Sequence, residues 1–307
     1  MSVGEQRDSC HPLVHVGLHK TGSTWLQQHV FPHLRGFVFG NHDPVLGALL
    51  GNLLHADDDG FLGDALTVAV DRYESAGRRL LLSHEALAGT LWATGDSAER
   101  TARRLASTMP NARVLLLTRN QPEMLLAVYA QYVNEGGTRS FERFLAGDRA
   151  GPQFEPASLE YDVLVELYRS LFGKTRVWVF PYERLRADPG TFYDELRRLY
   201  GAEPSVDSRR RVNVSLSPAG LAALRAWNRL FRASAFNPSP AVRALPGGRR
   251  VRNTLQEVVD PALRHLVPTR VRAASLRRAT AFAARYHASN ERLAELLDDP
   301  LDGLGYP

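Results

Sequence analysis

The stretch Leu13–Gln27 has the sequence LVHVGLHKTGSTWLQ and passes from an apolar segment through a glycine-bearing loop into a helical pattern. Gly17 and Gly22 allow the tight turn in which consecutive backbone N–H groups and a helix N-terminus converge on an anion. Thr24 can cap the helix, and apolar residues then recur at helical spacing until Gly36. The stretch therefore predicts a strand, an anion-binding loop and a helix.

The loop resembles a Walker A loop in spacing but differs in where its lysine stands. Four residues separate Gly17 and Gly22, and Ser23 occupies the place where the Walker lysine would follow. The lysine comes earlier, as Lys20, and of the 38 basic residues only Lys20 and Lys174 are lysine. A lysine kept in an arginine-rich chain favours a compact charge at a bridging or leaving-group oxygen. The alternative is a strand-turn-helix corner with an incidental surface lysine.

Length and composition indicate one α/β domain over 1–307, with a core of about 12–205 and a helical, arginine-rich portion of about 206–307. Cys10 is the only cysteine, which excludes an intrachain disulfide and a cysteine-rich zinc site. His29 and His33 have i, i+4 spacing, but Pro32 lies between them, so we expect no metal site. Without a signal region or an apolar run of about 20 residues, we expect a cytoplasmic protein.

The net charge of +5 is unevenly distributed. Between Ser208 and Arg278 the chain has 15 arginines against Glu257 and Asp260, which gives +13 there and −8 elsewhere. Such a field could hold the second phosphate of a nucleotide, attract an acidic acceptor or contact an anionic membrane peripherally. A solvated arginine-rich helical face is the simpler alternative. No zinc-finger, RNA-recognition or basic-zipper motif is present, so nucleic acid is not expected, and the oligomeric state stays open.

Polar residues follow a short apolar run at 80–82, which suits a buried parallel strand. Ser83, His84 and Glu85 end this run. Ligands of open α/β sheets lie beyond the carboxyl ends of strands, so His84 and Glu85 are candidates for chemistry. The alternative is structural: Ser83 caps the next helix and Glu85 lies in its first turn.

The rest of the chain alternates strand and helix patterns, which favours an α/β fold. Strands are predicted at 37–39, 80–82, 114–117 and 177–180. Helices are predicted at 64–76, 96–109, 141–145, 158–172, 192–200, from 218 onward, and over most of 270–297. Residues 40–59, rich in Gly, Asn, His and Asp, are predicted to form a mobile loop with one short apolar piece.

Three passages of the sequence resemble one enzyme family. The order Lys-x-Gly-Ser/Thr-Thr-Trp-Leu at 20–26 resembles the 5′-phosphosulfate loop of sulfotransferases that use 3′-phosphoadenosine 5′-phosphosulfate (PAPS). The "YE-x-L…DP" passage at 182–189 follows the strand predicted at 177–180 and resembles the passage that follows this strand in the family, and the "N-x-S-x-S" passage at 213–217 resembles bacterial members. The resemblance spans nearly the whole chain. It implies a three-layer α/β fold of the P-loop nucleoside-kinase type, with a mainly parallel central sheet and a helical C-terminal portion.

The resemblance also implies a reaction, which is transfer of a sulfuryl group from PAPS, without a metal, to a hydroxyl or amine. The acceptor would be a sugar, a lipid-linked molecule or a secondary metabolite. Glu85 or His84 would be the general base, and His19 either touches substrate or only fills the loop. Arg119, at the end of the strand 114–117, would bind the 3′-phosphate. The other implied cofactor-binding residues are Lys20, Thr21, Gly22, Ser23, Thr24, Trp25, Asn213 and Ser215.

One position departs from the family pattern. A serine eight residues after the strand-end arginine usually helps to bind the 3′-phosphate, and here that residue is Ala127. Two other classes therefore stay open. An ATP- or GTP-dependent phosphotransferase is disfavoured by the missing Walker lysine and by the lack of a clear strand ending in a magnesium-binding Asp. A non-catalytic nucleotide-binding protein is consistent with the loss of a phosphate contact.

Overall fold

The structure is a computed structural model, and it describes residues 11–92, 97–147, 152–204, 217–231, 233–238, 240–241, 269–297 and 300–307. For 204 and 269–272 only the backbone is described. The candidate residues Asn213 and Ser215 lie outside the described residues.

A five-stranded parallel sheet forms the centre of the protein, with strand order β3-β4-β1-β5-β6. The strand β1 is therefore central, with Val14 opposite Leu82 on one side and Val114 on the other. A second sheet pairs two short antiparallel strands, β2 and β7. The strands are β1 (Leu13–Gly17), β2 (Leu34–Arg35), β3 (Val38–Phe39), β4 (Leu80–Ser83), β5 (Arg113–Thr118), β6 (Val177–Pro181) and β7 (Glu203–Pro204).

Both faces of the large sheet are buried, because successive side chains of its strands point to opposite faces and both sets are apolar. Val14, Leu82 and Leu116 belong to the core on one face, whereas Leu81 and Leu115 belong to the core on the other. Helices cover each face, which gives three layers. The α/β fold class with a mainly parallel sheet, which the family resemblance implied and the alternation of patterns favoured, is confirmed.

Each predicted region contains a helix, and three further helices, at 44–55, 121–134 and 182–187, were not predicted. The helices are α1 (Ser23–Trp25), α2 (Pro44–His55), α3 (Gly63–Ser75), α4 (Ser97–Thr108), α5 (Gln121–Asn134), α6 (Phe141–Ala146), α7 (Tyr161–Phe172), α8 (Tyr182–Ala187), α9 (Pro189–Tyr200), α10 (Pro218–Phe231), α11 (Thr269–Ala283) and α12 (His287–Leu297). In the part of the chain that the structure describes, none of them is long and apolar enough to cross a bilayer.

The predicted loop at 40–59 is wrong, because α2 occupies most of it. Pro44 begins the helix, and the Asp43 carboxylate caps it by accepting hydrogen bonds from the N–H groups of Val45 (2.8 Å) and Leu46 (3.4 Å). The side chains that face the core are those of Leu46, Leu50, Leu53 and Leu54. The Asp-Pro start and the leucine spacing together outweigh the glycines and asparagines of this stretch.

The helix after the glycine loop differs from its prediction at both ends. Gly22, with φ 89°, stands at the N-cap, and Thr24 lies inside the helix instead of capping it. After α1 the chain continues as a π-helical segment, Leu26–Val30, and a 3₁₀ turn, Phe31–His33, so it leaves helical geometry before Gly36. Pro32 explains the change, because it has no N–H to donate and its ring crowds the preceding turn.

The described C-terminal residues pack behind the end of β5. The Tyr306 hydroxyl lies 2.8 Å from the Thr118 hydroxyl, and Asn120 Nδ2 donates to the Leu304 carbonyl at 3.1 Å. The Glu183 carboxylate accepts hydrogen bonds from both the backbone N–H and Nδ2 of Asn120, each at 3.0 Å. The carboxyl end of β5 is thus held by residues far away in sequence.

Replacing Asp43 by Ala should lower the free energy of unfolding by about 1–3 kcal/mol. The variant loses the cap of α2, worth about 1 kcal/mol, and the hydrogen bond that the carboxylate accepts from the Tyr73 hydroxyl at 2.7 Å. Urea unfolding followed by circular dichroism measures the change. Asp43→Asn is the control, because asparagine caps helices equally well; if both variants are equally unstable, the cap is not the cause.

Candidate active site

The glycine loop lies at the carboxyl edge of the sheet, between the ends of β4 and β5. The Leu18 N–H donates to the Leu117 carbonyl at 3.0 Å, and the His84 N–H donates to the His15 carbonyl at 3.0 Å. The strand order reverses direction at β1, and a crevice forms where connections leave on opposite sides of a parallel sheet. The loop therefore occupies the usual ligand position of this architecture.

Buried hydroxyl groups hold the loop from within. Thr21 Oγ and Ser23 Oγ both donate to the Leu18 carbonyl, at 2.7 and 3.2 Å, and both side chains are buried. The Tyr182 ring packs beneath the loop, so close that a Cβ at Gly22 would lie 3.1 Å from its Cε2. The Ser23 hydroxyl therefore donates its hydrogen bond within the protein and not to solvent. Thr24 and Trp25 are half-buried.

Lys20 stands at the tip of the loop with φ 62°, a left-handed conformation that residues other than glycine rarely adopt. Solvent reaches the residue, but the surrounding loops partly desolvate the amine, and this lowers its pKa. The carboxylates of Glu135 and Glu85 act in the opposite direction, and Arg119 lowers the pKa further. The amine therefore lies in the field of charges from three separate elements.

Glu85 follows β4 and begins a single 3₁₀ turn, Glu85–Ala88. Burial alone would raise the pKa of its carboxyl group. A hydrogen bond from its own backbone N–H, the imidazoles of His19 and His84, and Gln27 together hold the pKa below its ordinary value. Gln27 Nε2 approaches Glu85 Oε2 at 3.4 Å. The group is therefore an ionised carboxylate at neutral pH, as a proton acceptor must be.

Gly17 is required for close packing against Glu85, in addition to the turn that the sequence predicted. It adopts φ 102°, and a Cβ there would lie 2.9 Å from Glu85 Cα and 3.0 Å from the Glu85 carbonyl oxygen. Real Cβ atoms do not approach backbone so closely. The missing side chain at Gly17 is what lets Glu85 lie against the start of the loop.

His84 caps the turn that follows β4, and this uses the lone pair of its imidazole. Its Nδ1 accepts a hydrogen bond from the Ala86 N–H at 3.1 Å, so His84, and not Ser83, caps the turn. In the neutral ring the proton is then on Nε2, which can only donate. Burial chiefly lowers the pKa of this imidazole, which favours the neutral form. Of the two candidate bases, Glu85 is the one with free acceptor atoms.

A buried polar network that the sequence analysis missed lies behind Glu85. The Ser83 hydroxyl is 2.7 Å from His15 Nδ1 and accepts from Gln27 Nε2 at 3.0 Å. Asn41 fixes the Ser83 backbone by accepting from its N–H at 2.9 Å and donating to its carbonyl at 2.6 Å. Burial lowers the pKa of His15 to about 4, so this imidazole is neutral. The only local sign was that Gln27 lies one turn after Ser23, on the helix face towards the loop.

His19 is a third ionisable group close to the carboxylate. Burial chiefly lowers the pKa of its imidazole, and the Glu85 charge and a hydrogen bond to the Gly89 backbone partly offset this. The charge of Lys20 lowers the pKa further. His19 therefore belongs to the same cluster as Glu85, which the sequence left undecided.

Arg119 lies on the other side of the loop. Its Nη1 donates to the Lys20 carbonyl at 2.9 Å, and its Nη2 donates to Glu123 Oε2 at 2.9 Å. Its guanidinium carbon lies 5.1 Å from the centre of the Tyr182 ring. Within the described chain, the buried Nε has no hydrogen-bond partner, and Ala127, where a serine was expected, offers no side-chain donor. The guanidinium of Arg119 is therefore held between the loop, Glu123 and the Tyr182 ring.

The structure thus brings together Lys20, Glu85 and Arg119 at one edge of the sheet, from three elements that are distant in sequence. Thr21, Gly22, Ser23, Thr24 and Trp25 form the loop between them, and His84 stands behind Glu85. Lys20 and Arg119 thus place cationic groups at the loop, and Glu85 places a carboxylate against its start.

Comparison with solved structures gives the class of the fold. The protein resembles the crystal structure of a sulfotransferase from Alicyclobacillus acidocaldarius with a TM-score of 0.53 and 15% sequence identity. The alignment covers 95% of this chain and 97% of that chain. The protein therefore has the sulfotransferase fold.

Two other structures align over most of their length, but their TM-scores lie below 0.5 and we draw nothing from them. One is mouse sulfotransferase SULT7A1 complexed with PAP (TM-score 0.31, 15% identity, 94% of this chain and 92% of that chain). The other is the sulfotransferase domain from the curacin biosynthetic pathway (TM-score 0.36, 10% identity, 88% and 96%). No protein-family model matches the sequence, and no curated protein does.

Gly17→Ala should destabilise the protein by at least about 1–3 kcal/mol, which is the cost of a side chain in a disfavoured backbone region, before the clash with Glu85 is added. Thermal and urea unfolding measure the loss. The control is Gly47→Ala in α2, where a Cβ would meet nothing within 4 Å and alanine favours the helix. If the two variants have the same stability, the close approach of Glu85 does not depend on Gly17.

Proposed function

We propose that this protein is a PAPS-dependent sulfotransferase that transfers a sulfuryl group to an acceptor hydroxyl. One observation supports this most strongly: the carbonyl of Lys20 is bound by Arg119, while Glu85 packs against Gly17 at the other end of the same loop. A leaving-group cation on the loop would thereby lie between a phosphate-binding arginine and a carboxylate base from two neighbouring strands of the sulfotransferase fold.

The cationic side of the cleft would hold the donor. Thr21 and Ser23 turn the Leu18 carbonyl inward, which keeps its negative end away from an anion above the loop. The backbone N–H groups of 21–25 and the Lys20 amine would then stabilise charge that grows on the 5′-phosphate oxygens. Arg119 would bind the 3′-phosphate, because it follows the end of β5 and lies beside the loop, where its Nη1 donates to the Lys20 carbonyl.

The carboxylate side would activate the acceptor. The Glu85 carboxylate takes the proton of the acceptor hydroxyl while that oxygen forms a bond to sulfur. The bond between sulfur and the 5′-phosphate oxygen breaks, and its electron pair stays on the phosphate beside Lys20. His84 is left out of this step because its lone pair is used in capping the turn. We propose a sugar, a lipid-linked molecule or a secondary metabolite as the acceptor.

Two measurements on the purified protein test the proposal. Calorimetry should show binding of 3′-phosphoadenosine 5′-phosphate (PAP) without magnesium. Mass spectrometry with PAPS and a panel of hydroxyl and amine acceptors should show the mass gain of one sulfuryl group. Binding of ATP that needs magnesium would instead support a phosphotransferase, and binding without turnover over the whole panel would support a non-catalytic protein.

Lys20→Ala should reduce turnover about 100- to 1000-fold and nucleotide affinity much less, because removing a preorganised transition-state charge costs about 3 kcal/mol. Initial rates and calorimetry measure the two effects. The chain offers a matched control in Lys174→Ala, which removes its only other lysine and should be neutral. Near-normal turnover of the Lys20 variant would exclude the proposed role.

Glu85→Gln should reduce turnover at least ~100-fold while PAP affinity changes little, because the amide keeps the shape and cannot accept the proton. His84→Asn should be milder, since asparagine can still cap the turn. For the wild type, kcat/KM should fall only as the pH drops below the ordinary carboxyl range, because the pKa of Glu85 is lowered. An inactive His84→Asn beside an active Glu85→Gln would make His84 the base.

A further inference from the structure

Two arginines from different elements share one carboxylate beside the loop. Arg119, at the end of β5, donates to Glu123 Oε2 at 2.9 Å. Arg186, near the end of α8, donates from Nη1 to the same oxygen at 2.6 Å and from Nη2 to Oε1 at 3.3 Å. Both guanidinium groups also contact the Tyr182 ring. The guanidinium carbon lies 5.1 Å from the ring centre for Arg119 and 5.9 Å for Arg186.

The shared carboxylate fixes the two guanidinium groups without using up their hydrogen-bonding capacity. Glu123 stays ionised: burial would raise the pKa of its carboxyl group, but the hydrogen bonds from Arg186 and Arg119 lower it. Glu123 is the only described residue whose side chain bonds the Arg186 guanidinium, and the Arg186 side chain is 46% exposed. The Arg186 guanidinium has five N–H donors and Glu123 takes two of them, so three remain for another acceptor, whereas the Arg119 side chain is only 17% exposed.

The arginine pair lies where a donor is missing. Glu123 and Ala127 are one turn apart on α5, so their side chains emerge on the same face. Arg186, bound to Glu123, therefore comes to within about one helical turn of the position where the family pattern has a serine hydroxyl. The second nearby carboxylate, Glu183, is turned towards Asn120 and Tyr306 and does not bond either arginine.

We propose that Arg186 is a second ligand of the nucleotide 3′-phosphate, which replaces the serine hydroxyl that Ala127 cannot supply. This inference rests on the proposed function. Arg119 and Arg186 would bind the phosphate from two sides, and Glu123 would hold the two guanidinium groups apart at a fixed spacing. A dianionic phosphate accepts charge-assisted hydrogen bonds from both, which is stronger than the pairing of one arginine with one hydroxyl.

The test compares two nucleotides that differ only in the 3′-phosphate. Calorimetry at fixed ionic strength gives the dissociation constants of PAP and of adenosine 5′-phosphate for the wild type and for Arg186→Ala. We expect the variant to bind PAP about 10- to 100-fold more weakly, since a hydrogen bond to a charged group is worth about 1.5–3 kcal/mol. Affinity for adenosine 5′-phosphate should change less than about twofold.

Arg184→Ala is the matched control, because it removes the same charge from the same helix and its Nη2 donates to the Pro300 carbonyl instead. It should leave the preference for PAP unchanged, whereas Arg119→Ala should reduce that preference as Arg186→Ala does. Arg186→Gln is a second variant in case the alanine variant folds poorly, because glutamine keeps part of the aliphatic chain and a polar end. Its preference for PAP over adenosine 5′-phosphate should also fall.

Two results overturn the inference and can be told apart. If the wild type prefers PAP and Arg186→Ala and Arg186→Gln keep that preference, Arg186 is only a surface partner of Glu123, and the proposed function stands. If the wild type binds the two nucleotides equally, there is no 3′-phosphate site, and the proposed function fails together with this inference.

Discussion

The contact between Gly17 and the backbone of Glu85 is the constraint on which the site depends. Because Gly17 carries no side chain, the turn after β4 can lie directly against the end of β1. The central strand then delivers the loop, and its neighbour delivers the carboxylate, to the same point. On the other side, Arg119 binds the Lys20 carbonyl and couples β5 to the loop. A larger residue at Gly17 would separate the anion-binding half of the cleft from the half that accepts a proton.

The sequence was sufficient for those features that arise from local patterns. Short apolar runs such as Leu80–Leu82 predict strands buried on both faces, and their order with intervening helices predicts a parallel α/β sheet. The polar residues that end the runs were found for the same reason, because parallel strands place their carboxyl ends at one edge. The helix Pro44–His55 runs against the loop-forming composition of its stretch, and its signals are the Asp43-Pro44 start and the leucine spacing.

The remaining features of the site could not be predicted, because they depend on contacts between distant segments. Ser83 contacts His15 and Gln27 across 68 and 56 positions, and Arg186 reaches Glu123 across 63. No periodicity within one segment encodes such pairs. The sequence also could not show which of His84 and Glu85 has acceptor atoms available. That depends on a single hydrogen bond from the Ala86 N–H to one ring nitrogen of His84. A sequence names the ionisable groups, but the backbone around them decides which lone pairs are available.

The two lysines of this arginine-rich chain mark opposite ends of the sheet. Lys20 follows the carboxyl end of β1, whereas Lys174 lies in the turn that precedes the amino end of the parallel strand β6. Acylating reagents react with unprotonated amines, and partial desolvation lowers the pKa of the Lys20 amine. The protein therefore carries one lysine amine on the loop and a second, remote lysine amine as an internal reference, so that selective acylation of Lys20 reports whether a ligand covers the loop.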